Sequence, residues 1–218
     1  MSDFKLVLGS RNYSSWSLRA WLAMRQTGAD FDERTIPLNT LADFFAIAQL
    51  SPGRTVPVLQ HRDLVIWDSL AIIEYLAEQF PKAGLWPAAS DARALARAAC
   101  AAMHAGFLAL RAQMPMNVRS SKPGRGRGEG VKSDIERIVA LWRELRARFG
   151  REGPYLFGVW SAADVYFAPV VSRFRTYDVE LDEPCRAYAD AVLAWPTVME
   201  WFAAAATEPW TIEKIDKI

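Results

Sequence analysis

Residues 56–76 read VPVLQHRDLVIWDSLAIIEYL, and a change of period inside them decides the fold. Val56 to Gln60 and Leu64 to Trp67 are short β-rich runs, and His61 to Asp63 between them read as the exposed turn of a hairpin. From Leu70 to Phe80 the apolar residues recur at helical spacing, the pattern of an amphipathic helix. Upstream, Leu41 to Leu50 reads as a short helix and Phe31 to Ile36 as a strand. Ser14 to Thr27 carries apolar residues at Leu18, Trp21, Leu22 and Met24, one face of a helix, and Phe4 to Gly9 before it is a strand.

The order over residues 1–80 is therefore βαβαββα, that of a thioredoxin-like α/β domain. Beyond Asp91 the character changes to Ala-rich helical windows at 91–114, 131–149, 162–176, 183–194 and 197–206, so residues 91–218 read as an all-α helical bundle. Residues 81–90, rich in Pro, Gly and small side chains, are the linker. Ser120 to Gly130, SSKPGRGRGEG, interrupts the bundle and reads as a mobile, solvated loop.

The chain has 218 residues, 51% hydrophobic and 23% charged, enough apolar material for a globular core. Its 26 basic and 25 acidic residues give a net charge of +1, no field for nucleic acid or a membrane surface, so an anionic ligand must be held locally. The basic loop has no interleaved aromatic residues for base stacking. No apolar run reaches the roughly 18 residues of a membrane span, and Met1 to Lys5 leads straight into a strand with no secretory leader. Cys100 and Cys185 fit neither a disulfide framework nor a metal site; they read as buried thiols in a reducing cytoplasm.

A thioredoxin-like domain poses the question of paired cysteines where its first helix begins. Here that stretch is Asn12-Tyr13-Ser14-Ser15-Trp16-Ser17, which excludes disulfide exchange by the protein's own cysteines at this place. Hydroxyls stand there instead, at a helix start whose unpaired N–H groups favour an anion. Val56-Pro57 precedes a strand, where an X–Pro bond can be cis and leave the Val56 backbone free to pair with an extended peptide. Asp68-Ser69 puts a carboxylate and a hydroxyl at a second helix start. A ligand with a thiol, a peptide backbone and an α-amino acid end fits this set. A serine run and an Asp-Ser pair before helices are also how ordinary caps are built.

The stretches SSWSLRAWLAM, SPGRTVPVL and IWDSLAIIEYL together resemble the cytosolic glutathione transferase family, and the resemblance covers essentially the whole chain. The first is similar to the serine-type members, the zeta class above all, although Trp16 stands at that class's cysteine. The resemblance implies glutathione as co-substrate and no metal. A gap-free count from Gly28 puts the catalytic serine on Ser14, with Ser15 as its rival. By the same resemblance the Val56 backbone, before Pro57, binds the cysteinyl unit, Asp68 and Ser69 the γ-glutamyl end, and Arg54 the glycyl carboxylate. Tyr13, Trp16, His104, Phe107, Arg111 and Met114 become candidates for the second-substrate pocket. In FGVWSAADVYF, Ser161 caps a helix and Asp164 closes the capping box, a structural pair. The implied function is conjugation of glutathione to a small hydrophobic electrophile by a cytoplasmic homodimer. The alternatives are a glutathione-dependent isomerase of the maleylacetoacetate type, a dehalogenase, or a noncatalytic stress protein on the same fold.

Overall fold

The computed structural model describes residues 2–218. Its first half runs β1 (Phe4–Gly9), α1 (Ser15–Thr27), β2 (Asp32–Ile36), α2 (Leu41–Leu50), β3 (Val58–His61), β4 (Leu64–Trp67) and α3 (Ser69–Gln79). The strands form one sheet in the order β2-β1-β3-β4, with β1 parallel to β2 and antiparallel to β3. Alternation along β1 sends Phe4, Leu6 and Leu8 to the face covered by α1 and α3, and Val7 to the other, where it meets Ile36, Val58 and Ile47 of α2. Gly9 closes β1 where no side chain fits: a Cβ there would lie 2.4 Å from Leu38 Cδ1 and 3.1 Å from Ser14 Cβ.

The hairpin turn is tighter than its sequence suggests. His61 is the last residue of β3 and is buried, stacked on Phe4 with ring centroids 4.0 Å apart. Its Nδ1 lies 2.6 Å from the Tyr75 hydroxyl, so only Arg62 and Asp63 turn the chain. A residue expected in solvent thus ties the hairpin to α3.

The second half is helical: α4 (Ser90–Ala105), α5 (Leu108–Gln113), α6 (Val131–Phe149), α7 (Ala162–Tyr177), α8 (Glu183–Leu193), α9 (Pro196–Thr207) and α10 (Glu213–Asp216). The window 91–114 is two helices rather than one. Gly106 ends the first, and Phe107 follows in a left-handed conformation with φ +57°. Helix α7 is the axis of this half, buried along nearly its whole length and packed on both α1 and α4. Trp142 of α6 sits against it, 5.8 Å from Phe167 and 5.5 Å from Phe174 between ring centroids. One apolar core runs from Leu6 and Leu18 through Ile73 to Trp142, so the two halves share their interior.

Residues 120–130 are tied down rather than free. The Lys122 backbone donates to Thr176 O at 2.7 Å, and the side chains of Lys122, Arg125 and Arg127 donate to carbonyls of Asp216, Ile218 and Asp178. Among the described residues no helix is long and apolar enough to cross a membrane, and Cys100 and Cys185 are buried free thiols.

Candidate active site

The turn before α1 is fixed from outside its own domain. The Glu208 carboxylate accepts from Ser10 Oγ at 2.6 Å, Arg11 N at 2.9 Å and Asn12 N at 3.2 Å. Trp201 Nε1 donates to Arg11 O at 3.0 Å, and Asn12 Nδ2 to Asn117 Oδ1 at 3.0 Å. Tyr13 is drawn into the same clamp: its hydroxyl donates to the Asp216 carboxylate at 2.9 Å and accepts from Ile212 N at 3.1 Å. A buried phenol held this way is not part of the substrate pocket, so the structure moves Tyr13 from ligand contact to scaffold.

From this turn the chain enters α1 at Ser14, the N-cap, whose Oγ accepts from Ser17 N at 3.2 Å and donates to Ser17 Oγ at 2.8 Å. Ser17 Oγ also accepts from Gly9 N at 2.8 Å, binding the strand end to the helix start. The first turn of α1 carries no acidic residue, and the backbone N–H groups of Ser15 and Trp16 find no acceptor among the described residues. Such a start is built to receive an anion.

Beside it lies a cleft of about 330 Å³ lined by Trp16, Thr55, Val56, Pro57, Asp68, Ser69 and His104. The Val56-Pro57 bond is cis, and neither backbone polar group of Val56 is paired among the described residues. Asp68 caps α3 with φ +75°, its Oδ1 accepting from Leu70 N at 2.8 Å while its Oδ2 lies 3.2 Å from His104 Nε2. Ser69 Oγ and His104 Nδ1 both reach the Tyr166 hydroxyl, at 3.1 and 3.3 Å. Trp16 is flanked by the guanidiniums of Arg19 and Arg111, each 4.6 Å from its ring centre, with the His104 ring 5.0 Å away edge-on. Arg111 also donates to His104 O at 3.0 Å.

Sequence reasoning therefore brought Trp16, Val56, Pro57, Asp68, Ser69 and His104 to one cleft, with Ser14, Ser15 and Arg111 around it. Arg54 stands exposed one residue before Thr55, with φ +54°. Phe107 and Met114 do not join them. Both are buried in the helical core, Phe107 beneath the Arg137 guanidinium at 4.9 Å, because the break at Gly106 turns α5 away from the line that a continuous helix would follow.

Three residues that the sequence left unmarked complete the surroundings: Tyr166, Arg19 and Arg173. Arg19 is 1% exposed, and its Nε and Nη1 meet no acceptor among the described residues; it lies between Trp16 and the Tyr166 ring, 4.4 Å away. Arg173 is 4% exposed and donates to Met114 O at 2.9 Å, Pro169 O at 3.1 Å and Ser15 Oγ at 3.3 Å. Burial pushes Arg19 down to about 10, and burial followed by the charges of Arg19 and Arg111 pushes Arg173 down to about 9; both stay cationic at neutral pH. Neither has a carboxylate partner among the described ion pairs. Burial pushes the Tyr166 hydroxyl upward, so it stays protonated. The one available signal is Arg19 inside the apolar run Leu18-Arg19-Ala20-Trp21.

Asp164 closes its own cap away from the cleft. Its carboxylate accepts from Ser161 N at 2.9 Å, Ser161 Oγ at 3.1 Å and Leu156 N at 3.0 Å, and burial raises it to about 6. No group of three or more His, Cys, Asp or Glu among the described residues is placed to hold a metal.

Residues 13–79 match the family model described as the glutathione S-transferase N-terminal domain, and residues 90–204 that of the glutathione S-transferase C-terminal domain. Glutathione S-transferase 1 of Dianthus caryophyllus is 31% identical over 186 residues, 82% of either chain. The maleylacetoacetate isomerase of Rattus norvegicus is 33% identical over 190 residues, 83% of either chain. Among solved structures, a Burkholderia glutathione transferase homologue with bound glutathione superposes with a TM-score of 0.71 at 26% identity, covering 93% of this chain and 97% of that one.

Proposed function

The chain belongs to the glutathione S-transferase family, and from that premise we propose that it holds glutathione along the cleft and conjugates its thiolate to a small hydrophobic electrophile. The observation that carries this reading is the start of α1: N–H groups without acceptors among the described residues, serine hydroxyls and no carboxylate in its first turn, with the guanidiniums of Arg19 and Arg173 buried behind it and in none of the described ion pairs. In this reading Val56 pairs its backbone with the cysteinyl unit, and Asp68 and Ser69 hold the γ-glutamyl end, Asp68 Oδ2 exchanging His104 for the ligand's ammonium. Arg54 meets the glycyl carboxylate from the exposed rim. Trp16, His104 and Arg111 bound the space for the electrophile.

The magnitudes suffice. Lowering a thiol from about 8.5 to about 7 takes roughly 2 kcal/mol of preferential thiolate stabilisation. A hydrogen bond to a charged acceptor supplies about 1.5–3 kcal/mol and a helix start about 0.3–2 kcal/mol. The test is turnover of glutathione with an aryl halide and an epoxide; no conjugate with either, despite bound glutathione, would remove the transferase reading.

An isomerase reading rests on one observation, the unneutralised guanidiniums beside Trp16, which would also stabilise an enolate formed when thiolate adds to a conjugated double bond. A cis-to-trans assay on a maleyl diketone separates the two. We also read the protein as a cytoplasmic homodimer. Exposed Leu41, Phe44 and Phe45 of α2, with Leu64 and Trp67 of β4, support association, and the buried free thiols support a reducing compartment. Sedimentation showing only a 24.5 kDa species at micromolar protein would contradict the dimer.

A further inference from the structure

His104, in the last turn of α4, lines the cleft, and both of its ring nitrogens have partners. Nε2 lies 3.2 Å from Asp68 Oδ2. Nδ1 lies 3.3 Å from the Tyr166 hydroxyl, which in turn lies 3.1 Å from Ser69 Oγ. Tyr166 and Ser69 are buried, while His104 is partly exposed on the cleft wall. Either hydroxyl can give or take a proton. With the ring neutral at Nδ1, Ser69 donates to Tyr166 and Tyr166 to His104. With the ring charged, Nδ1–H donates to Tyr166 and Tyr166 to Ser69. Turning two hydroxyls thus serves both forms of the imidazole, and burial keeps Tyr166 protonated, so it reorients rather than ionises.

In the reading of the cleft as a glutathione site, the ligand's ammonium takes Asp68 Oδ2 and leaves His104 Nε2–H without its acceptor. We propose that this freed imidazole is a catalytic proton donor to the electrophile's oxygen, so that the site favours epoxides and other electrophiles whose conjugation leaves an oxyanion. The proposal deepens the transferase reading and rests on it. Thiolate attack on an epoxide carbon forms the C–S bond and breaks the C–O bond, whose electron pair stays on oxygen. The charged ring gives its Nε2 proton to that oxygen, and solvent returns to the ring the proton that the thiol has lost. Substitution on an aryl halide needs no such donor, because the halide leaves as an anion. The charged or titratable groups around His104 are Asp68 at the cap of α3, Tyr166 of α7, Arg19 of α1 behind Trp16, and Arg111 of α5, whose Nη1 donates to His104 O.

The test uses the full-length chain at saturating glutathione, with one epoxide and one aryl halide as electrophiles. His104→Gln lowers the ratio of epoxide to aryl halide turnover about a hundredfold. A loss of packing or of glutathione binding falls on both substrates and cancels in that ratio. Tyr166→Phe, which takes the acceptor from Nδ1–H, lowers the same ratio about tenfold. If His104→Gln does not fold, His104→Asn is read in the same way, and the native protein supplies a measurement that needs no variant. Its epoxide turnover falls as pH rises and His104 loses its proton, while aryl halide turnover does not fall with it. A His104→Gln ratio within about twofold of the native one overturns the proposal, since general acid catalysis is worth far more than that. So does a native protein that conjugates the aryl halide and not the epoxide; in both cases the transferase reading stands. No conjugate with either electrophile, from native protein with bound glutathione, overturns the transferase reading and the proposal with it.

Discussion

Helices α1 and α7 both begin on a capping serine, yet only one of these starts is closed. At α7, Asp164 fills the cap: Ser161 N, Ser161 Oγ and Leu156 N all end on its carboxylate, and the group is wholly buried. At α1 there is no acidic residue in the first turn, two N–H groups find no acceptor among the described residues, and the guanidiniums of Arg19 and Arg173 lie buried against this turn, while the Glu208 carboxylate is used up on Ser10, Arg11 and Asn12 before it. A cap that satisfies itself is architecture. A cap left short of an acceptor, with cations behind it, is waiting for an anion from outside.

The comparison breaks most visibly at Asp164. Asp164→Ala leaves two buried N–H groups without acceptors and lowers unfolding free energy by about 3 kcal/mol, measured by denaturant titration, with glutathione affinity unchanged. The pH dependence has a defined sign. This carboxyl is raised from 3.8 to about 6 in the fold by burial, so the folded protein holds the proton more tightly than the unfolded chain. Its contribution is greatest below pH 3.8 and is lost as pH rises through about 6. Asp164→Asn abolishes that slope, seen as a stability difference from the native protein that changes across this window and is flat above it.

The next effect belongs to the second helix start of the cleft. Asp68→Ala raises the Michaelis constant for glutathione about tenfold and changes saturated turnover less than about twofold, because the carboxylate sits with the part of the ligand remote from sulfur. A drop in saturated turnover with unchanged affinity by calorimetry would place Asp68 at the reacting end. Smaller still is Ser14→Ala, which removes the α1 cap bond to Ser17 N and lowers stability by about 1 kcal/mol in thermal or denaturant unfolding.

What the sequence made legible follows the same division. The β-rich runs of β1, β3 and β4 and the helical spacing of α1 and α3 are local, and the hydroxyl and carboxylate positions of the cleft travel with them. Arg173 meets Ser15 only because α7 lies on α1, a contact between residues 158 positions apart that no local pattern contains. The break between α4 and α5 is hidden for a different reason: Ala-rich turns favour helix on both sides, and Gly106 alone marks the stop, so a continuous helix carries Phe107 and Met114 toward the pocket. His61, a polar residue between two strands, reads as a turn until Tyr75 supplies its partner.

The central claim is that the open start of α1 stabilises a thiolate. The ultraviolet titration of glutathione bound to the native protein measures it directly. The account predicts thiolate absorbance appearing near pH 7 or below, about 1.5 pH units under the value of about 8.5 for a free thiol. Bound glutathione that titrates as it does in water would contradict it.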